Sequence, residues 1–115
     1  MLEHENRIGD CAIPRQPDYA GVEIVTISPN PAPADYQVAL ELAKAAAEAL
    51  HGGSMLLSWY DRDRDFESPP HTSECDHPGA VPGYVDYGLS HGATLKVDIG
   101  QGRFVFFFLP LAGLR

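Results

Sequence analysis

The sequence predicts an α+β fold, a two-layer α/β sandwich in which a four-stranded mixed sheet carries two helices on one face. Three observations lead to this class: a long amphipathic helix between two short β-type segments, a second, shorter helix pattern, and a closing hairpin of alternating apolar residues. The predicted order is β-α-β-α-β-β. A chain of 115 residues has room for one core. We therefore expect a single domain over residues 21–115 after an irregular N-terminal arm, residues 1–20.

The first predicted strand, residues 22–27, is β-branched and short. The long helix then begins at Asn30-Pro31-Ala32-Pro33 and ends at Gly52-Gly53. We expect Asn30 to be its N-cap, because an asparagine side chain accepts an open N–H of the first turn and a proline is tolerated just after it. The apolar stripe is Tyr36, Leu40, Ala43, Ala47 and Leu50, and the polar face is Gln37, Glu41, Lys44 and Glu48.

Residues 54–60 predict a second strand that is covered on both faces. In this strand Met55, Leu57 and Trp59 alternate to one side, and Leu56 and Tyr60 to the other. A strand, a crossover helix and a strand within this length form a right-handed unit. We therefore expect the first two strands to run parallel.

A long acidic loop is predicted over residues 61–79, which are rich in Pro, Ser, Asp and His. Loops of this length in compact domains are usually functional or disordered. Residues 81–91 then predict a short helix with Pro82 in its first turn and Gly92 as its stop. Two glycines inside it, Gly83 and Gly88, weaken the helix pattern.

The chain closes with a hairpin made of residues 94–99 and 103–109. Its inward residues are Leu95, Val97 and Ile99, and its outward residues are Thr94, Lys96 and Asp98. A two-residue turn, Gly100-Gln101, sets Phe104 on the inward face, whereas a three-residue turn would set it on the outward face. In the two-residue register Asp98 faces Arg103.

The last strand is apolar on both faces, with Phe104, Phe106 and Phe108 on one face and Val105, Phe107 and Leu109 on the other. Two helices on one face leave the second face open, and a soluble protein rarely exposes such a patch. Either a second copy of the chain covers this face, which makes a homodimer, or residues 1–20 or 110–115 cover it.

The composition limits the classes of function. A formal charge of −8 repels phosphate backbones, so we expect no nucleic-acid partner. The sequence shows neither an apolar run long enough for a bilayer nor a secretory signal, so we expect a cytoplasmic protein without a membrane partner. In that compartment Cys11 and Cys75 are expected to be reduced.

The segment Asn30-Pro31-Ala32-Pro33, at the start of a helix in a β-α-β-α-β-β order, resembles the TusA/SirA-like sulfur-carrier family over residues 22–109. The resemblance implies a two-layer sandwich and a protein that carries sulfur on the cysteine of a Cys-Pro-x-Pro signature. Asn30 stands where the family has this cysteine, and an amide cannot hold a sulfane sulfur. The patterns Ser58-Trp59-Tyr60-Asp61 and His91-Gly92-Ala93 also resemble small uncharacterised bacterial and archaeal proteins.

The acidic loop contains three potential ligands for a zinc or iron ion, His71, Cys75 and His77. In a structural interpretation the same segment is a solvated loop with scattered histidines. Cys75 is also the candidate catalytic thiol, although Glu74 and Asp76 beside it oppose formation of the thiolate.

The candidate ligand- or partner-binding residues are Asn30, Trp59, Asp61, Tyr84 and His91. Asp61 opens an alternating run of acids that resembles the start of a calcium loop but lacks the glycine and the glutamate which that loop requires. Tyr84 and His91 share one side of the short helix with Tyr87. There they either line a pocket with Trp59 and Tyr60 or belong to the core.

The sequence therefore predicts a carrier-like or protein-interaction domain that resembles sulfur carriers, needs no cofactor and has no catalytic activity of its own. The alternative is a metal- or thiol-dependent site built on His71, Cys75 and His77.

Overall fold

The computed structural model describes residues 17–70 and 82–111 of the chain. The elements in these residues are β1 (Glu23–Ile27), α1 (Tyr36–His51), β2 (Ser54–Asp61), β3 (Phe66–Ser68), α2 (Gly83–Ser90), β4 (Leu95–Ile99) and β5 (Phe104–Pro110). The strands form one mixed sheet in the order β1-β4-β5-β2-β3. The predicted α+β class is confirmed. The predicted number of four strands is wrong, because β3 lies inside the segment predicted as a loop.

Strand β5 lies at the centre of the sheet because its side chains are apolar on both faces. It pairs antiparallel with β4 on one side and with β2 on the other, and its Phe104, Phe106 and Phe107 are each 0% exposed. Strand β1 pairs parallel with β4. The first two strands therefore point the same way, as predicted, but the β4–β5 hairpin separates them.

Helix α1 packs on one face of the sheet through a line of alanines. Ala39, Ala43 and Ala47 are at most 1% exposed and share a buried cluster with the apolar side chains of β4 and β5. Small side chains let a helix lie close to the sheet beneath it. Ala43 and Ala47 confirm part of the predicted stripe, whereas Leu50 is 46% exposed and lies outside it.

The N-terminus of α1 corrects the predicted cap. Asp35, not Asn30, is the N-cap, and its Oδ1 accepts the backbone N–H groups of Gln37 and Val38 at 3.0 and 3.2 Å. Pro33 disfavours a helical conformation of the residue before it, so the helix starts beyond this proline. Asn30 is exposed in the connection between β1 and α1.

Helix α2 packs on the opposite face of the sheet, where Val85 and Phe107 are buried in a second cluster. Phe106 and Phe107 are adjacent in β5 and therefore point to opposite faces, and Phe106 lies in the α1 cluster. The predicted two-layer sandwich with both helices on one face is therefore wrong. Tyr19 also stacks on Phe107, with 6.5 Å between ring centroids. The chain itself therefore covers both faces of β5. The homodimer stays a prediction, but the open sheet face from which it was predicted is covered.

A β-bulge in β2 decides which residues face each helix. The pairing of β2 with β5 shifts between Leu56 and Ser58, so Leu57 is the additional residue. Leu57 packs in the α2 cluster, and Trp59 packs in the α1 cluster. The predicted grouping of Leu57 with Trp59 is wrong, because the bulge reverses the parity of every later residue in the strand.

The turn between β4 and β5 contains four residues, because Ile99 pairs with Phe104. The predicted two-residue turn is wrong, but turn lengths that differ by two leave the faces unchanged. Phe104 therefore lies on the predicted inward face. Asp98 Oδ1 accepts the backbone N–H of Gly102 at 2.6 Å, so this carboxylate holds the turn and does not face Arg103 as predicted.

Two predicted segments lie partly outside the described residues, namely residues 1–16 of the arm and residues 71–79 of the acidic loop. The first part of that loop is a hairpin, because β2 continues to Asp61 and pairs antiparallel with β3. The second helix is shorter than the predicted 81–91. In the described part of the chain, no helix is long and apolar enough to cross a membrane.

Gly88 lets α2 approach the sheet closely. A Cβ at this position would lie 2.9 Å from Phe107 Cβ and from Ser58 Oγ. Ser58 Oγ, in turn, donates to the backbone oxygen of Tyr84 at 2.7 Å. The glycine that weakens the helix pattern in the sequence is therefore required by the packing.

We expect Gly88→Ala to lower the free energy of unfolding by about 1–3 kcal/mol, the usual cost of overpacking, because helix and sheet must separate. Urea denaturation followed by Trp59 fluorescence measures the change. Gly53→Ala is the matched control, since its Cβ would meet Leu111 Cδ1 at 3.5 Å, an ordinary contact. If the loss at Gly88 is no larger than at Gly53, the close approach of α2 is contradicted.

Candidate functional site

An aromatic cluster lies on the α1 face of the β2–β3 hairpin. Trp59, in β2, stacks on Tyr36 at the start of α1, with 5.2 Å between ring centroids and 16° between ring planes. Phe66, the first residue of β3, lies 5.3 Å from Trp59 at 54°. Beneath them Trp59 stacks on Phe106 of the core. The cluster is therefore continuous with the core at one end and reaches the surface at the other, where Phe66 is 41% exposed.

Arg64 lies over this cluster. Its guanidinium carbon is 4.1 Å from the ring centroid of Tyr36 and 4.9 Å from that of Phe66, within cation–π distance of both. Its Nε donates to Asp61 Oδ2 at 2.6 Å. We call the surface formed by Tyr36, Trp59, Arg64 and Phe66 the aromatic–arginine platform.

The buried carboxylate of Asp61 holds Arg64 in place. Its side chain is 2% exposed, whereas that of Arg64 is 47% exposed. Asp61 Oδ1 also accepts the backbone N–H of Asp63 at 3.0 Å. A buried carboxylate requires such partners, because burial without them costs several kcal/mol. Among the described residues, the terminal nitrogens Nη1 and Nη2 of Arg64 have no hydrogen-bond acceptor.

A second arginine ties the hairpin to the rest of the domain. Arg103 donates from Nε and Nη2 to the carboxylate of Asp63, at 3.0 and 2.7 Å, and from Nη1 to the backbone oxygen of Pro33 at 2.9 Å. The hydrogen bonds from Arg103 hold the pKa of Asp63 below its usual value, and they raise the pKa of Arg103. Arg103 thus joins the β2–β3 turn, the β4–β5 turn and the segment before α1.

The alternating acids of the turn do not converge on one point. Asp61 binds Arg64, Asp63 binds Arg103, and Asp65 accepts the hydroxyl of Tyr60 at 2.7 Å. Within residues 17–70 and 82–111, no group of three or more His, Cys, Asp or Glu side chains is placed to hold a metal ion. The acids of this turn therefore act as partners for a phenol and two guanidiniums.

A cleft of about 450 Å³ lies on the opposite face of the same hairpin, beside the start of α2. Tyr60 and Tyr84 both line it, and their rings stack on one another at 5.0 Å. Glu67 Oε1 accepts the backbone N–H of Tyr84 at 3.0 Å. The hydrogen bond to Asp65 raises the pKa of Tyr60, and burial raises that of Tyr84. Both phenols are therefore neutral at physiological pH.

The structure brings together two of the predicted binding residues, Trp59 and Asp61. Tyr84 lies on the other face of the sheet, where it lines a cleft with Tyr60 but not with Trp59. His91 is exposed and stacks on Tyr87 at 3.9 Å. Asn30 is exposed in the connection before α1 and does not belong to the platform.

The predicted metal and thiol residues His71, Cys75 and His77 lie outside the described residues, so they remain predictions. No sequence pattern predicted Tyr36, Arg64 or Phe66 as residues of this candidate site. One signal could have found Arg64, namely its spacing of three residues from Asp61 in a run of alternating acids and arginines.

We expect Arg64→Met to lower the free energy of unfolding by about 1–3 kcal/mol, because it leaves the carboxylate of Asp61 buried with one hydrogen bond. Urea denaturation measures the loss. Lys44→Met is the matched control: Lys44 pairs with Glu41 at 4.0 Å on the exposed side of α1, and such pairs contribute less than about 0.5 kcal/mol. Equal losses in the two variants would show that Asp61 does not depend on Arg64.

We expect Asp63 to titrate below the ordinary aspartate pKa of about 3.9, because Arg103 binds its ionised form. The stabilisation from this pair is present above the ordinary value and is lost as the pH falls through the lowered pKa. Carboxyl ¹³C shifts followed against pH give the midpoint. Arg103→Met should raise it toward the ordinary value, and an unchanged midpoint would rule out this cause.

Comparison with known proteins places the chain in a family. No curated protein matches the sequence. The crystal structure of protein AF1514 from Archeoglobus fulgidus DSM 4304 is similar, with 21% sequence identity and a TM-score of 0.61 over 77% of this chain and 94% of that one. At this identity the likeness concerns the fold alone. The profile of DUF5619, described as a domain of unknown function, matches residues 22–108, from β1 into β5. This match spans both helices, the hairpin and the platform, and the chain belongs to the DUF5619 family.

Proposed function

We propose that this chain is a protein-interaction domain that binds its partner at the aromatic–arginine platform. The observation that carries the proposal is that Phe66 and Arg64 are 41% and 47% exposed while both are held in fixed contacts. Aromatic and arginine side chains contribute most of the binding energy in protein interfaces, where a few of them are grouped together.

The platform is organised before a partner arrives. Arg64 is held by Asp61 and by two rings, and Phe66 is held against Trp59. Immobilising a flexible side chain at an interface costs about 0.5–1.5 kcal/mol, and a side chain that is already fixed avoids this cost. A small platform can therefore support specific binding.

The proposal needs neither a thiol nor a metal. The carrier role implied by the resemblance to sulfur carriers requires a reactive cysteine, and Cys11 and Cys75 both lie outside the described residues. Asn30, at the position of the family cysteine, is exposed and five residues before the true helix cap, Asp35. The interaction role rests on the platform and stands without the carrier role.

Selection of a random-peptide display library on the full chain tests the proposal. We expect enriched peptides that bind the wild type and lose at least about tenfold in affinity on Phe66→Ser, a loss usual for an interface hot spot. Circular dichroism confirms that the variant is folded.

Met55→Ser is the matched control, because Met55 is 40% exposed at the other end of β2. Its substitution should leave peptide binding unchanged. A selection that enriches no peptide, or peptides whose binding is equally sensitive to Met55 and Phe66, would overturn the proposal.

A further inference from the structure

We infer that the platform recognises a carboxylate, which Arg64 binds through its two terminal nitrogens, next to an apolar group that packs on Phe66. This inference rests on the proposed function and names the chemistry of the partner. The three guanidinium nitrogens of Arg64 differ in their partners. Nε donates a hydrogen bond to Asp61, while Nη1 and Nη2 have no acceptor among the described residues.

The contact with Asp61 orients the guanidinium as well as neutralising the buried acid. One hydrogen bond of 2.6 Å and two aromatic contacts fix the planar group, and its side chain remains 47% exposed. The five N–H groups of an arginine form a rigid fork, so fixing Nε also fixes the directions of the terminal N–H groups. A fork held in this way matches the two oxygens of a carboxylate.

The neighbouring charges favour a carboxylate over a phosphate. The carboxylates of Asp61 and Asp63 lie at the same turn and the whole chain carries −8. Coulomb repulsion from these charges grows in proportion to the charge of the ligand, so a monoanion is opposed less than a dianion. Asp63 is itself bound by Arg103, so it does not occupy the terminal nitrogens of Arg64.

The exposed ring of Phe66 indicates an apolar group next to the carboxylate of the ligand. The exposed part of Phe66 adjoins Arg64, since the guanidinium carbon is 4.9 Å from its ring centroid. A ligand whose carboxylate binds Arg64 therefore places its next group against this ring. A peptide that has an acidic residue beside an apolar one has this arrangement.

Titration of the ¹⁵N-labelled full chain with phenylacetate tests the inference. The amide analogue phenylacetamide and the dianion phenyl phosphate serve as comparison ligands. We expect phenylacetate to shift the Trp59 indole N–H and Arg64 Nε–H signals in a saturable way, and to displace the peptides selected on the platform. Phenylacetamide should bind at least about tenfold more weakly, because it offers one neutral acceptor in place of two charged oxygens.

Arg64→Lys tests whether binding depends on the paired N–H donors of the guanidinium or only on its positive charge. A lysine keeps a cation beside Asp61 but lacks the bidentate donor geometry, so we expect a folded variant that binds phenylacetate at least about tenfold more weakly. The same variant should bind phenylacetamide as the wild type does. Lys44→Met, on the exposed side of α1, should leave phenylacetate binding unchanged.

The outcomes distinguish this inference from the proposed function. Equal binding of phenylacetate and phenylacetamide, with selected peptides that still depend on Phe66, would overturn the carboxylate and leave the interaction domain standing. Tighter binding of phenyl phosphate would replace the carboxylate by a phosphate. Failure of all three ligands together with an empty peptide selection would overturn both.

Discussion

The fold depends on one constraint, the burial of a strand that is apolar on both faces. Phe106 and Phe107 follow one another in β5 and point to opposite sides, and both are 0% exposed. A strand of this kind is stable at the centre of a sheet with a layer on each face. The β4–β5 hairpin therefore lies between β1 and β2, α1 covers one face, and α2 covers the other. The positions of the remaining elements follow from that arrangement.

The candidate site is a product of the same arrangement, because the last residues of β2 pair with β5 on one side and with β3, in a short hairpin, on the other. At the end of β2 the carboxylate of Asp61 is buried and binds Arg64, which lies in the turn and is half-exposed. The arginine then covers rings that would otherwise be exposed, and Arg103 anchors the turn to the segment before α1. In the proposed function Arg64 combines a structural and a binding role, since Nε donates to Asp61 while Nη1 and Nη2 have no acceptor among the described residues.

The faces of helices and strands could be predicted from the sequence, because they depend on periodicity. The packing of α2 and the contacts of Arg64 could not, because they depend on segments that are distant in the chain. The amphipathic pattern gave the polar face of α1, and parity gave the inward face of Phe104 even though the turn length was wrong. The close packing of α2 on the sheet requires Gly88, which in the sequence is only a weak helix former. Asp61 was singled out as a candidate, but its partner Arg64 was not, because stacking on Tyr36 requires the hairpin and α1 to meet in space.

The bulge at Leu57 has a consequence for how the chain can vary in length. Trp59 and Tyr60 lie on opposite faces of β2, one in the platform and the other in the cleft, and beyond the bulge they pair with Phe106 and Val105 of β5. Deletion of Leu57 would remove the bulge and leave Ser58, Trp59 and Tyr60 opposite the same residues of β5, so neither ring would change face. The strand can therefore lose one residue at the bulge, whereas a change of one residue between Ser58 and Trp59 would exchange the faces of the indole and the phenol.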